Sequence, residues 1–149
     1  MVSSEDLKKG AVSDKGISPV KLHGNPTVLV VDDEELIREV ASMMIEEEGG
    51  TVLNAADGNE ALKILAQKKD NIDCVFCDFS MPQMNGYEVF VESNKVKPDL
   101  PFVIVSGLKI VPEVDDLRRK GRIEFVSKPF HQVELVKAIN KAREYGKAQ

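Results

Sequence analysis

From Thr27 onward the chain is written in two alternating rhythms: short uninterrupted apolar runs, then longer stretches in which apolar residues return every three or four positions. The short runs predict strands and the longer stretches predict helices. A first strand falls at 28–31 and a first helix at 35–48, with Leu36, Val40, Met43 and Met44 as its buried stripe at i, i+4, i+7 and i+8. Gly49-Gly50 stops that helix. A second strand covers 51–55. Asp57 then caps a second helix, and Glu60 three residues later completes a capping-box pattern. Its expected stripe is Ala61, Leu62, Leu65 and Ala66. Strand three is 73–77 and helix three runs from about 85 to 93. Pro98 and Pro101 bracket the turn into strand four, 102–106. Helix four, 112–120, ends at Gly121. Strand five is 123–127, and helix five fills 131–145.

Five strand-helix units in series imply a parallel sheet with helices on both faces. Runs 28–31, 74–77 and 102–105 are apolar throughout, as central strands buried on two sides must be. Strands two and five carry Thr51, Asn54, Glu124 and Ser127, which suits sheet edges. Strands 1, 3 and 4 inside with 2 and 5 outside is the α/β flavodoxin-like (βα)5 order 2-1-3-4-5. The site is expected where the order reverses, at the carboxyl ends of strands one and three.

Residues 1–25 break both rhythms. Ser, Lys, Asp and Gly dominate, apolar residues stand alone, and the stretch runs to Pro19 and Asn25-Pro26. It reads as a flexible extension to a domain over 26–149, with a short helix near residues 6–9 as the lesser alternative.

Composition narrows the function classes. A chain of 149 residues, 42% of them hydrophobic, fits one domain with one core. The net charge of -5 argues against a general affinity for nucleic acid or anionic membranes. No apolar stretch approaches the ~20 residues that cross a bilayer, and the first residues lack a signal-peptide pattern, so the expected compartment is the cytoplasm. Cys74 and Cys77 have C-x-x-C spacing. Three apart on a strand, however, they point to opposite faces and read as buried structural thiols.

What ends each strand is decisive. Strand one ends in Asp32-Asp33, strand three in Asp78, strand four in Ser106, and strand five runs into Lys128-Pro129. In a parallel sheet these ends share one rim. Two carboxylates ~5 Å apart at an effective dielectric of ~20 repel by roughly 3 kcal/mol, so three of them call for a cation. Mg²⁺ suits an oxygen set that leaves room for water and a phosphate oxygen, with Mn²⁺ as its substitute. An aspartate is also a nucleophile toward phosphorus. Lys128 and Ser106 would hold the phosphoryl oxygens, with backbone N–H groups of Ser80 and Gly107 as further donors.

From about 27 to 145 the sequence resembles the response-regulator receiver family. The resemblance rests on Val30-Val31-Asp32-Asp33-Glu34, Asp78-Phe79-Ser80-Met81-Pro82 continuing to Asn85-Gly86, Val105-Ser106-Gly107, and Lys128-Pro129-Phe130. It implies that Asp78 is the phosphoacceptor. Asp33, Asp78 and the Ser80 carbonyl would bind Mg²⁺ directly, with Asp32 acting through a metal-bound water. Ser106 would be the switch hydroxyl, Lys128 its partner at the phosphoryl group, and Phe125 the aromatic switch position. Lys128-Pro129 would be a cis peptide. Two departures stand out: Arg122 follows Gly121 where the family has a small residue, and Phe125 lacks a tyrosine hydroxyl.

Two different classes compete. The first is a signalling switch phosphorylated by a sensor histidine kinase or phosphotransfer protein, acting on a downstream protein target or attached module as a monomer or weak dimer. The second is a metal-dependent phosphatase-like hydrolase with an aspartyl nucleophile, which needs an acid two residues after it; position 80 is Ser. A nucleotide or flavin binder would want a glycine-rich loop where Asp32-Asp33-Glu34 stands. The chain reads as a free-standing receiver or a piece of a larger protein, in a style similar to receivers on hybrid sensor kinases. His23 and His131 are expected on the surface. Ile110 and Val111 form either a docking patch or a tuck under helix four, and Ser80 and Leu108 are candidate tuners of phosphate lifetime.

Overall fold

The computed structural model describes residues 21–108 and 112–147. It contains β1 (Thr27–Val31), α1 (Glu35–Glu47), β2 (Thr51–Ala55), α2 (Gly58–Lys68), β3 (Cys74–Asp78), α3 (Gly86–Val96), β4 (Phe102–Ser106), α4 (Pro112–Arg119), β5 (Glu124–Ser127) and α5 (Gln132–Lys147). A short 3-10 turn, Lys69–Asn71, was not foreseen. All strand pairs are parallel, in the order β2-β1-β3-β4-β5. The flavodoxin-like arrangement expected from the strand polarity is therefore the one found.

Strand alternation divides the core into two layers. Leu29, Val31, Val75, Cys77, Phe102 and Ile104 face α2, α3 and α4. Val28, Val30, Cys74, Phe76, Val103 and Val105 face α1 and α5. Since β1, β3 and β4 are covered on both sides, every position in these runs is apolar, which is why they lack a period of two. Cys74 and Cys77 are free, buried and on opposite faces.

Two helix faces differ from expectation. In α1 the buried residues are Ala41 and Ile45, while Leu36, Val40 and Met43 are 68%, 37% and 60% exposed. Of the expected stripe only Met44 packs against the core, beside Ala41 and Ile45, so the helix carries two apolar stripes and the one through Ala41, Met44 and Ile45 meets the sheet. In α2, Ala61 and Leu65 are buried but Ala66 is exposed; Ile64 packs in its stead. The α2 cap is offset as well. Asp57 accepts the Glu60 N–H at 2.8 Å, but the Glu60 carboxylate takes the N–H of Ala56 instead of that of Asp57. A full capping box forms at Asn85 and Glu88, at the start of α3.

The expected extension reached residue 25, and its described part lies against α5. Leu22 is buried. Asn140 donates to the Lys21 carbonyl at 2.7 Å and accepts the His23 N–H at 3.1 Å. His23 itself is exposed, as is His131. The short helix considered near 6–9, and Ile110 with Val111, lie outside the described residues. Arg122, at the departure noted before β5, stands 5.8 Å over the Phe90 ring, a cation–π contact that ties this turn to α3.

Candidate functional site

Strand register sets the geometry of the rim. Val31 pairs with Cys77, so Asp32 and Asp78 follow at the same level. Asp78 pairs with Val105, putting Ser106 one residue further along, and Ser106 pairs with Ser127, putting Lys128 one further still. From β3 to β4 and again from β4 to β5 the rim residue stands one position higher, while Asp32 and Asp78 stand level. The residue at the highest step is the one with the longest side chain, and it reaches back. Lys128 Nζ lies 3.1 Å from Asp32 Oδ2 and 3.1 Å from Asp78 Oδ1.

Asp32 and Asp78 are only 3% and 5% exposed, whereas Asp33 is exposed. One oxygen from each of the three carboxylates lies within 4.8 Å of the others. Among the described residues, Lys128 is the cation paired with Asp32 and Asp78. Among the described residues the three carboxylates outnumber the one ammonium that pairs with two of them, and buried charge is costly unless it is compensated. Burial, and next the neighbouring Asp32, push the Asp78 carboxyl up to about 6, although Lys128 pulls the other way. Burial by itself would lower the Lys128 ammonium, but hydrogen bonds and charge from Asp78 and Asp32 raise it. The lysine therefore stays charged. A hard, all-oxygen donor set with surplus negative charge fits a divalent cation such as Mg²⁺.

The loops around these groups are pinned. Asp32 Oδ1 accepts the Glu34 N–H at 2.9 Å, which turns the chain from β1 into α1. Phe79 N–H donates to Val105 O, and Gly86 N–H donates to Phe79 O, both at 2.8 Å, so the loop after Asp78 is folded onto the start of α3. Ser106 is buried and its Oγ accepts the Leu108 N–H at 3.0 Å, a bond that does not use its O–H. Lys128 N–H donates to Ser106 O at 2.8 Å, and Lys128-Pro129 is cis. Among the described residues, Lys128 Cβ at 3.9 Å is the neighbour of the position a Cβ on Gly107 would take. Ser80 is exposed beside the rim, and Phe125 is half-buried against the α2–α3 layer.

The rim thus gathers Asp32, Asp33, Asp78 and Lys128, with Ser106 on the neighbouring strand end. Phe125, on the edge strand, is part of the packing below it. Two features went unread in the sequence. Arg38 donates to the Asp32 carbonyl, and the exposed stripe of Leu36, Val40 and Met43 runs down α1 from this rim. A basic residue soon after the acidic pair was the available signal for the first.

The sequence profile of the response regulator receiver domain matches residues 28–140. Over 141 residues the chain is 31% identical to the sensor kinase CckA of Brucella abortus (strain 2308), covering 95% of this chain and 15% of that protein. It is 33% identical over 113 residues to the response regulator SaeR of Staphylococcus aureus (strain USA300), covering 76% of this chain and 48% of that one. Among solved structures, a response regulator receiver domain protein from Clostridium thermocellum aligns with a TM-score of 0.75 at 29% identity, over 83% of this chain and 98% of that one. The chain spans less than half the length of these two curated relatives and nearly all of the solved domain. No helix among the described residues is long and apolar enough to cross a membrane.

Proposed function

The chain belongs to the response regulator receiver domain family of two-component signalling, and on that footing we propose that Asp78 takes a phosphoryl group from a phosphohistidine donor. The hydrolase alternative is not favoured, since the family is one of regulators and Ser80 stands where that chemistry needs an acid. The observation that carries the proposal is the buried Asp78 carboxylate sharing one lysine with Asp32, beside a third carboxylate.

In the proposed reaction one Asp78 oxygen attacks phosphorus, the P–N bond of the donor breaks, and its electron pair returns to the imidazole. Asp78 is largely ionised at pH 7 despite its raised pKa of about 6, so the nucleophile is present. Lys128 is close enough to neutralise a phosphoryl oxygen while keeping its contact with Asp78 or Asp32. The Ser106 O–H donates to a second oxygen, and the Ser80 and Gly107 N–H groups serve as further donors. Asp33, Asp78 and the Ser80 carbonyl would hold Mg²⁺, with Asp32 acting through water. When bound, the ion screens the charge that builds on the transferring group. Once Ser106 turns to the phosphoryl group, it has less reason to hold the Leu108 N–H, and β4, β5 and Phe125 adjust; the state is selected by contacts that only the phosphorylated form makes.

The receiver unit is assigned to residues 26–149, with 1–25 as an extension whose end is tied to α5. The proposed compartment is the cytoplasm, where a histidine kinase or phosphotransfer protein presents its donor domain. The test of the reaction is incubation with Mg²⁺ and a small phosphodonor, followed by intact mass. One added phosphoryl group, labile in base, is expected; rapid turnover of many phosphomonoesters would favour the hydrolase.

A proton and the cation compete for Asp78. Mg²⁺ affinity should be nearly level above pH 7 and fall up to about tenfold per unit below pH ~6. Calorimetric titration between pH 5 and 8 checks this, and a flat profile would contradict the assigned ligand.

A protein donor needs a landing surface beside the acceptor. Leu36, Val40 and Met43 form an exposed apolar stripe that starts at the rim. Leu36→Glu with Met43→Glu should slow transfer from a histidine-phosphorylated domain by about two orders of magnitude, as loss of a central apolar anchor does. Uptake from a small phosphodonor should change far less. Equal slowing of both would show that the stripe supports the fold and does not dock the donor.

A further inference from the structure

Arg38 lies one turn into α1, outside the side chains assigned to metal or phosphoryl group. Its Nη1 nevertheless donates to the main-chain oxygen of Asp32 at 2.7 Å. On the other side of the same residue, Asp32 N–H donates to Ala55 O at 3.2 Å. The peptide unit between Asp32 and Asp33 is therefore held by a charge-assisted bond from a helix that is itself anchored through Ala41 and Ile45. The Asp32 carboxylate has further fixed points in the Glu34 N–H and Lys128. Asp33 is exposed, and its carboxylate is carried by that peptide unit. If the unit rotates, Asp33 swings away while Asp32 stays tethered.

We propose that Arg38 is a positioning residue for the divalent cation: by clamping the Asp32 carbonyl it aims the Asp33 carboxylate at the point where Asp32 and Asp78 converge. This rests on reading the rim as a cation and phosphoryl site. Charge and position act in opposite directions here. A guanidinium near a cation site repels the incoming ion, so its removal should tighten binding if charge is all that matters. Loss of the clamp should weaken binding. The sign of the change separates the two.

The experiment is a titration of the full chain with Mn²⁺, free ion being read by electron paramagnetic resonance, on protein that circular dichroism shows to be folded. Arg38→Ala is expected to bind about tenfold more weakly, at the lower end of what loss of a group orienting a metal ligand costs. Arg38→Lys, which can still donate to the carbonyl, should recover much of that loss. A cycle with Asp33→Asn supplies the readout that a merely structural role would not move. Because Arg38 acts through Asp33, the double variant should bind about as weakly as Asp33→Asn alone. Binding by Arg38→Ala that equals or exceeds the unaltered protein overturns the proposal, and so does full additivity in the cycle. Failure of the unaltered protein to bind Mn²⁺ would instead remove the reading of the rim itself.

Discussion

Asp78→Asn will accept no phosphoryl group, and in metal-free buffer at pH 7 it will unfold at a higher temperature than the unaltered protein. The first half follows from the loss of the nucleophile. The second follows from electrostatics that the reaction requires and the fold tolerates. Burial and Asp32 together raise the Asp78 carboxyl from 3.8 to about 6. The folded chain therefore holds a proton at this position more tightly than the unfolded chain does. Between about pH 4 and 6 the native state binds more protons, so the contribution of this group to stability falls as pH rises through that window. Above it the full penalty stands, roughly 2 to 3 kcal/mol by the size of the displacement. An amide in the same place has no charge to desolvate and can still accept from Lys128. The gain in unfolding midpoint should be several degrees, about 3 °C per kcal/mol for a chain of this length. It should vanish near pH 4 and shrink when Mg²⁺ is added, because only the aspartate form gains a ligand. An Asp78→Asn midpoint at or below that of the unaltered protein across pH 4 to 7 would contradict the account of the acidic rim.

Gly86→Ala will destabilise the domain, although alanine is the better helix former by nearly 1 kcal/mol in a helix interior. The reason is where α3 begins. A Cβ on Gly86 would stand 2.7 Å from Asp78 O and 2.9 Å from Phe79 Cα. Both are backbone atoms of the acceptor loop, so no side chain can rotate away to relieve the overlap. Either α3 moves off the sheet or the Asp78–Phe79 peptide shifts, and the Gly86 N–H bond to Phe79 O goes with it. A loss of about 2 to 4 kcal/mol is expected, in the range of overpacked cores and broken backbone contacts. Displacement of Asp78 should also reduce the stabilisation that Mg²⁺ confers. Thermal unfolding with and without the ion reads both effects. An unchanged or raised midpoint would mean that the close approach of α3 to the acceptor loop is not a constraint.

The contrast between these positions and α1 shows what could be read in advance. Asp32, Asp33, Asp78, Ser106 and Lys128 stand at or just after strand ends, and parallel topology carries all strand ends to one rim whatever the helices do. Strand order was equally legible, because residues 28–31, 74–77 and 102–105 have no polar position to turn toward water. The element boundaries moved by only a few residues: Asp78 proved to be the last residue of β3 rather than the first beyond it. Helix faces were another matter. Leu36, Val40 and Met43 have faultless helical spacing and still point to solvent.

By itself, then, the chain determined its elements, their order and the set of groups that could meet at the rim, since these depend on local periodicity and on connectivity. Tertiary structure alone decided which stripe of α1 meets the sheet, that Leu22 seats by α5, that Glu60 reaches Ala56, and that Arg38 grips the Asp32 carbonyl. The physical reason is common to all four. Periodicity reports that an apolar face exists, and composition that a donor exists, but burial and hydrogen bonding are properties of a pair of surfaces. For α1 and Leu22 the second surface comes from distant parts of the chain, and for Glu60 and Arg38 it is a backbone group a few residues away, in the turn that joins a strand to its helix.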